Sequence, residues 1–288
     1  MKKIIIFGRM IKFSHSVFAL PFALSGAILA SKFAQITVAK IGWVIWCMVA
    51  ARTMAMAFNR LVDRKIDAQN PRTKNRELPA GNLSATFVGF VVLLSIIALV
   101  FGAWKLNVLT LILSPIAILI LLGYSFTKRF TAFSHLVLGL SLAGAPVGAW
   151  IAITGNLVHL TPFVLGFAVL FWVAGFDIIY ASQDLEFDKN VGLFSIPVRF
   201  GIKKSLFSAK ILHFIALILL VVTGIFAQLG WIYFIGIAIV GGLLVYEHSL
   251  VSEENLNKLG VAFFTMNGII STAFFVFVLL DFMLGEPL

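Results

Sequence analysis

Charge is scarce in this sequence. Asp, Glu, Lys and Arg make up 12% of its 288 residues, against about 25% in a soluble globular domain. The chain therefore lacks the polar surface that a domain in water must present. Cysteine is almost absent: the single Cys47 lies in an apolar run, which excludes an intrachain disulfide and reads as a small buried hydrophobe. No glycine-rich Walker loop occurs, which removes support for nucleotide hydrolysis. The basic amino-terminal stretch MKKIIIFGRMIKFSH is followed by no A-x-A-like site, so no cleavable signal peptide is expected. Acids are scarcer than bases, 12 against 22, for a net charge of +10.

What is abundant is apolar. Hydrophobic residues make up 61% of the chain, in continuous rather than alternating runs, which predicts an all-α integral membrane protein and not a barrel. Nine runs are long enough to span a bilayer: about 15–34, 40–58, 84–103, 107–123, 133–153, 160–178, 207–228, 230–248 and 261–282. Most breaks are short, such as KLN at 105–107, TGN at 154–156 and QLG at 228–230. The polar segments 59–83 and 179–206 are much longer, and long connections in a compact protein mark function or disorder. Pro21, Pro115, Pro146 and Pro162 fall in or beside apolar runs and read as kinks.

The bases then set an orientation. With the N-terminus in the cytoplasm, 18 of the 22 bases fall on cytoplasmic segments. Only Lys32, Lys40 and Lys105 fall opposite, and Arg52 lies within the second run. This asymmetry predicts nine transmembrane helices, N-terminus inside, in a multi-pass inner (plasma) membrane protein whose two long polar segments both face the cytoplasm. Residues 1–288 read as a single domain. Topology accounts for the basic balance, so no nucleic-acid partner is expected.

Seven of the 12 acids lie in two short stretches on that side. NRLVDRKIDAQNPRTKNRELPAG, residues 59–81, holds Asp63, Asp67 and Glu77 behind Asn59; DIIYASQDLEFD, residues 177–188, holds Asp177, Asp184, Glu186 and Asp188. Asn59, Asp63 and Asp67 are spaced i, i+4, i+8, and Asp184 and Asp188 repeat the four-residue step, so each set can share a helix face. Asp177 lies about two helical turns before Asp184 and can join it. Stacked carboxylates repel one another and call for a cation. Oxygen ligands without His or Cys suit Mg²⁺, which takes one or two carboxylates plus waters and phosphates. The alternative is a solvated helix end paired with Arg60, Arg64 and Lys65.

Arg72 and Lys128 are the cations best placed to complete a diphosphate clamp. Arg52 lies about two turns into the membrane from Asn59. An ionisable group at that depth is a functional candidate, and a guanidinium there suits a substrate carboxylate. Lys12 and His15 open the first run and can line the same mouth, although a place at the membrane interface is the favoured reading for both. Most of the 29 Phe residues read as lipid-facing or packed between helices.

Taken together, these residues resemble the UbiA-type intramembrane prenyltransferases. Asn59, Asp63 and Asp67 match the family's first aspartate-rich motif, N-x-x-x-D-x-x-x-D. Asp184 and Asp188 match the core of its second. Tyr124 and Lys128, in YSFTK, match its Y-x-x-x-K element. Arg60 departs from the Asp that many members carry beside the leading Asn. The resemblance covers nearly the whole chain and implies nine helices around a central cavity. It implies Mg²⁺-dependent transfer of a polyprenyl group from polyprenyl diphosphate to an acceptor. Within the family the chain looks most similar to 4-hydroxybenzoate polyprenyltransferases of ubiquinone synthesis, and to futalosine-route menaquinone relatives that act on a dihydroxynaphthoate. Both acceptors are aromatic acids, in keeping with Arg52. On this reading Asn59, Asp63, Asp67, Asp177, Asp184 and Asp188 hold Mg²⁺. Arg72 and Lys128 hold the diphosphate, and Tyr124 and Tyr180 line the substrate. Rival readings are a prenyltransferase for a lipid or haem acceptor, a membrane cation transporter, and a CDP-alcohol phosphotransferase, whose D-G-x-x-A-R signature is absent.

Overall fold

The structure, a computed structural model, describes residues 2–11 and 18–286, with side chains from residue 5 onward. The described residues form helices and no strand: α1 Lys2–Met10, α2 Leu20–Ala30, α3 Val38–Gln69, α4 Ala85–Leu106, α5 Val108–Thr127, α6 Ser134–Thr154, α7 Thr161–Ala181, α8 Leu185–Asn190, α9 Ile196–Phe226, α10 Trp231–Ser249 and α11 Asn267–Leu284. A 3₁₀ turn, Ser182–Asp184, joins α7 to α8, and a π-helical turn, Val261–Met266, leads into α11.

Local chemistry starts and stops these helices. Thr37, Ser84, Asn107 and Ser195 accept a backbone N–H from the first turns of α3, α4, α5 and α9, which satisfies donors that a helix start leaves open. Pro197 sits in the first turn of α9, where its missing N–H costs nothing. Gly155 ends α6 at φ +70°, in the left-handed region that glycine enters freely.

Among the described residues, eight helices are long and apolar enough to cross a membrane. The first expected run, 15–34, falls on α2, whose 11 residues make a shorter apolar helix; residues 12–17, including Lys12 and His15, lie outside the described residues. α3 is 32 residues long, about 48 Å, and outruns a hydrocarbon core of about 30 Å. Its last turns therefore carry the first acidic motif beyond the apolar run. α9 starts earlier than expected, at Ile196, and is interrupted at Gly201, where φ is +78°.

The helices close around small residues. A Cβ on Gly26 of α2 would strike the backbone of Pro146 on α6, and one on Gly139 of α6 would strike the Leu170 carbonyl on α7. These pairs let backbones meet, the packing mode that serves where lipid removes the hydrophobic drive between helices. One core gathers Phe22, Trp150, Trp172, Phe176, Tyr233 and Phe274 between α2, α6, α7, α10 and α11. A second joins α1, α3 and α4 through Met10, Met54 and Val88. Outward-facing Leu93, Ile97, Ile112, Leu119 and Phe214 are exposed, which fits a lipid-facing surface.

The end away from the acidic motifs is tied by polar side chains. Lys32 donates to Ala227 O (2.8 Å) and Lys40 to Ile153 O (3.0 Å), at the carboxyl ends of α9 and α6, where a cation meets the negative end of the helix dipole. Buried Asp281 of α11 accepts from Gly230 N (2.9 Å) and Tyr233 N (3.0 Å), capping α10 from across the bundle. Asp281→Ala leaves two buried amides unpaired and is expected to cost about 2 kcal/mol. Thermal unfolding in detergent should show a lowered Tm, with Asp281→Asn intermediate; an unchanged Tm in Asp281→Ala would show that the cap is dispensable.

Candidate active site

The far turns of α3 place the first motif. Asn59 Nδ2 donates to Asp63 Oδ2 at 3.2 Å, so these two share a face as their spacing predicts. Asp63 is 3% exposed and takes two cations from the α5–α6 connection, Lys128 Nζ on one oxygen and Arg129 on the other, both at 2.8 Å. Asp67, one turn on, has different partners. Arg76 reaches both its oxygens at 2.8 and 2.9 Å, and buried Arg60 lies 4.0 Å away. Arg60 also donates to Met10 O (3.4 Å), which ties α1 to α3 at the position where the motif departs from the family pattern. Arg64 turns to Leu61 O and leaves the acids to other cations.

The segment after α3 crosses to the second motif. Arg72 grips Asp184 with a fork, Nε on Oδ1 at 2.9 Å and NH2 on Oδ2, and its NH1 donates to the Tyr180 hydroxyl at 2.9 Å. Asn70 adds a 3.1 Å hydrogen bond to Asp184 and accepts from Arg72 N. Burial acts to lower the Arg72 pKa, but its contacts with Asp184 and Tyr180 outweigh burial and hold it above its ordinary value.

The second motif is not one helix. α7 ends at Ala181, so Asp177 sits on α7, Asp184 closes the 3₁₀ turn, and Asp188 rides on α8. Ser182 Oγ donating to Ile178 O accompanies the tightening of the chain there. The face shared by Asp177 and Asp184 in a continuous helix is thereby interrupted. Asp177 instead accepts from His135 Nδ1 at 2.7 Å. Because His135 Nε2 accepts Ile196 N (3.3 Å), the proton of this ring lies on Nδ1. Phe194 N also donates to Lys128 O (2.7 Å), so the strand of chain before α9 is stitched to the α5–α6 connection. The Asp188 carboxylate lies near the like charge of Asp184 and has no hydrogen bond or ion pair of its own among the described residues.

Three carboxylates (Asp63, Asp67, Asp184) thus pair with five cations (Arg60, Arg72, Arg76, Lys128, Arg129) at one end of the bundle, with Asp177 and Asp188 beside them. Directly beneath lies a cavity of about 380 Å³ between α3, α4, α5 and α6. Ala55 and Tyr124, each one turn from the polar cluster, line its near end, and Arg52 is the only charged residue among the described residues of its lining. Tyr124 OH reaches Ala55 O at 3.5 Å. Farther in, the walls are Met48, Leu113, Ala145 and similar side chains.

A metal held by protein groups alone does not fit this donor set. Among the described residues, no group of three or more His, Cys, Asp or Glu side chains converges. A hard cation shared with a diphosphate does fit. Asn59 with Asp63, and Asp184 with the unpaired Asp188, offer oxygen pairs of the kind Mg²⁺ takes alongside waters and phosphates. Sequence reasoning did not single out Asn70, Arg76, Arg129 or His135. Arg76 and Arg129 are visible as neighbours of residues that were singled out, but nothing in the spacing of His135 marks it.

Known proteins with similar sequences or folds bear on this geometry. The family model described as "UbiA prenyltransferase family" matches residues 19–269. The 4-hydroxybenzoate octaprenyltransferase of Tolumonas auensis is 33% identical over 217 residues, 75% of each chain. The solved apo structure of a UbiA homolog from Aeropyrum pernix K1 superposes with a TM-score of 0.85 at 30% identity, over 93% of this chain and 98% of that one. A UbiA homolog from Archaeoglobus fulgidus, solved bound to DMAPP and Mg²⁺, has a TM-score of 0.72 at 22% identity, over 96% and 99% of the two chains; that likeness is one of fold.

Arg76→Ala is expected to loosen segment 70–83, because the double contact to Asp67 is one of its tethers. Hydrogen exchange in detergent should quicken there by about tenfold, with α6 and α7 unchanged. Unchanged exchange across 70–83 would show that Asn70, Arg72 and Thr73, which donates to Asp67 O at 3.0 Å, hold the segment without Arg76.

Proposed function

For a chain that belongs to the UbiA prenyltransferase family, we propose Mg²⁺-dependent transfer of a polyprenyl group from polyprenyl diphosphate to an aromatic acid. 4-Hydroxybenzoate is the acceptor that the named relatives support, with a dihydroxynaphthoate second. The observation that carries this reading is one of layering: a cluster of acids and cations sits one turn above a long apolar cavity whose single charge among the described residues is Arg52. A substrate with a charged head and a greasy tail has the same two parts. The cation-transporter reading loses support because the described residues of the cavity lining include no carboxylate.

The chain is a multi-pass membrane prenyltransferase. We further propose nine crossings, with α2 completing the first, a cytoplasmic N-terminus, and a single domain in the inner membrane with the acidic end facing the cytoplasm. The base asymmetry supports this orientation.

In the proposed reaction Asn59, Asp63, Asp67, Asp184 and Asp188 provide the oxygen ligands for Mg²⁺, and Asp177, held by His135, borders them. Mg²⁺, when bound, neutralises diphosphate oxygens and eases their departure. Arg72 and Lys128 exchange part of their carboxylate contacts for phosphate oxygens and stabilise the charge that builds there. The allylic C–O bond breaks and its electron pair leaves with the diphosphate. The apolar cavity keeps water from the allylic cation. Arg52 holds the acceptor carboxylate by a bidentate contact, the ring carbon attacks, and transfer of a ring proton to the released diphosphate restores aromaticity. Tyr124 lies between Arg52 and Lys128, where the two substrates meet.

Asp63→Ala and Asp184→Ala are each expected to lower transfer by about 100-fold or more while the protein still inserts. Chelation of divalent metal should abolish product, and Mg²⁺ should restore it. Substantial product from either variant would sink the clamp. Arg52→Ala is expected to raise the acceptor KM by about tenfold and leave the donor KM unchanged. Purified protein assayed by product mass with 4-hydroxybenzoate and with a dihydroxynaphthoate decides the acceptor, and unchanged acceptor kinetics in Arg52→Ala would refute its role.

A further inference from the structure

α10 and α11 carry none of the motif residues, yet they bury a carboxyl. Glu247, in the last turn of α10, and Asn267, the first residue of α11, are both 0% exposed. A buried ionisable side chain within a membrane bundle is costly to keep and defaults to a functional hypothesis. The Asn267 amide donates to Glu247 Oε1 at 3.1 Å and, at the same distance, to Ala262 O and Phe263 O. Those two carbonyls belong to the π-helical turn Val261–Met266. Such a turn inserts a residue into the helical ladder and displaces its carbonyls, and it recurs at functional sites. Here the Asn267 amide meets the displaced carbonyls, and Glu247 fixes the amide.

The turn delivers two side chains to the Tyr180 ring, Phe264 edge-on at 5.8 Å and Phe263 face-on. Phe263 stacks on the Tyr180 ring, with centroids 4.0 Å apart and planes at 29°. Phe176 and Phe264 close on Phe263 edge-on at 5.3 and 4.6 Å, so its ring is held on further sides. Tyr180 in turn accepts from Arg72 and lies under its guanidinium, 5.3 Å from ring centroid to Cζ. Arg72 forks Asp184. A continuous series of contacts therefore runs from Glu247 to the clamp.

We propose that Glu247 and Asn267 are positioning residues for the diphosphate clamp. They hold the π-helical turn whose Phe263 seats Tyr180, and through Tyr180 they set the angle of Arg72. The inference rests on the proposed role of Arg72 toward the diphosphate. It makes α10 and α11 a support for donor binding, with no part in acceptor binding.

Steady-state kinetics with geranyl diphosphate and 4-hydroxybenzoate test it on the full-length protein in detergent. Asn267→Ala and Glu247→Leu are expected to raise the donor KM by about tenfold while the acceptor KM stays within about twofold. Glu247→Gln keeps the oxygen that Asn267 meets and is expected to behave as the unsubstituted protein. Phe263→Leu, which leaves the polar pair intact and serves where Glu247→Leu does not fold, should reproduce the donor effect. Combined with Tyr180→Phe, Asn267→Ala should add less than its own single effect, because both act on one seat. Glu247→Gln as damaging as Glu247→Leu, equal losses in both KM values, or full additivity with Tyr180→Phe would each overturn the inference. Arg72→Ala separates the two levels. A donor KM unmoved by Arg72→Ala defeats the clamp and the inference together. A donor KM raised by Arg72→Ala and unmoved by Asn267→Ala defeats the inference alone.

Discussion

The fork of Arg72 on Asp184 is the contact on which the charged end depends. It joins a segment that follows α3 to a turn that follows α7, across 112 residues of sequence. Without it, the two acidic motifs would be two helix ends with no shared purpose. The fork also settles an electrostatic problem. Carboxylates gathered beside an apolar cavity repel one another in a medium of low dielectric, and each must be paired or pay for its burial. The chain answers with cations drawn from three places: Arg72 and Arg76 from the segment after α3, Lys128 and Arg129 from the α5–α6 connection, and Arg60 from α3 itself. On the proposed function, a site balanced in this way receives a diphosphate and its metal by exchanging partners, so its own ion pairs are what substrate must displace.

The cavity and the cluster constrain each other. A guanidinium at membrane depth is tolerated only where it faces the bundle interior or a polar mouth, and Arg52 satisfies both conditions beside Tyr124. Two helices that wall the cavity, α3 and α5, each carry a charged group one or two turns farther out, at Asp63 and Lys128, and these two meet at 2.8 Å. The salt bridge therefore ties the two helices together close to the cavity.

Much of this was legible in the sequence, for reasons that can be named. Asn59, Asp63 and Asp67 have helical period, and α3 does run unbroken through them. The apolar runs are continuous, and eight of them form long helices. The exceptions share a cause: hydropathy reports solvent preference and is blind to where a helix breaks. The run 15–34 contains an 11-residue α2, and the motif spanning Asp177 to Asp188 contains a 3₁₀ turn, because neither a turn nor a short helix alters apolar content. His135 was illegible for a different reason. Its acid lies 42 residues away, and only the close packing of α6 on α7 through Gly139 brings the two together.

The lysines of the opposite end sharpen the reading of the bases. An orientation argued from charge counts assumes that each base is free to choose a side. Lys32 and Lys40 are not free: each donates to carbonyls at the end of another helix, and Lys105 lies 4.3 Å over the Trp104 ring. The three bases that run against the asymmetry are thus the three that the fold employs locally. The same test applied to the acidic end gives the opposite result for Lys65 and Lys74, which are exposed and form no ion pair among the described residues. Bases without a structural task concentrate at one end, and that residue of unexplained charge is what a membrane potential or an anionic leaflet can act on.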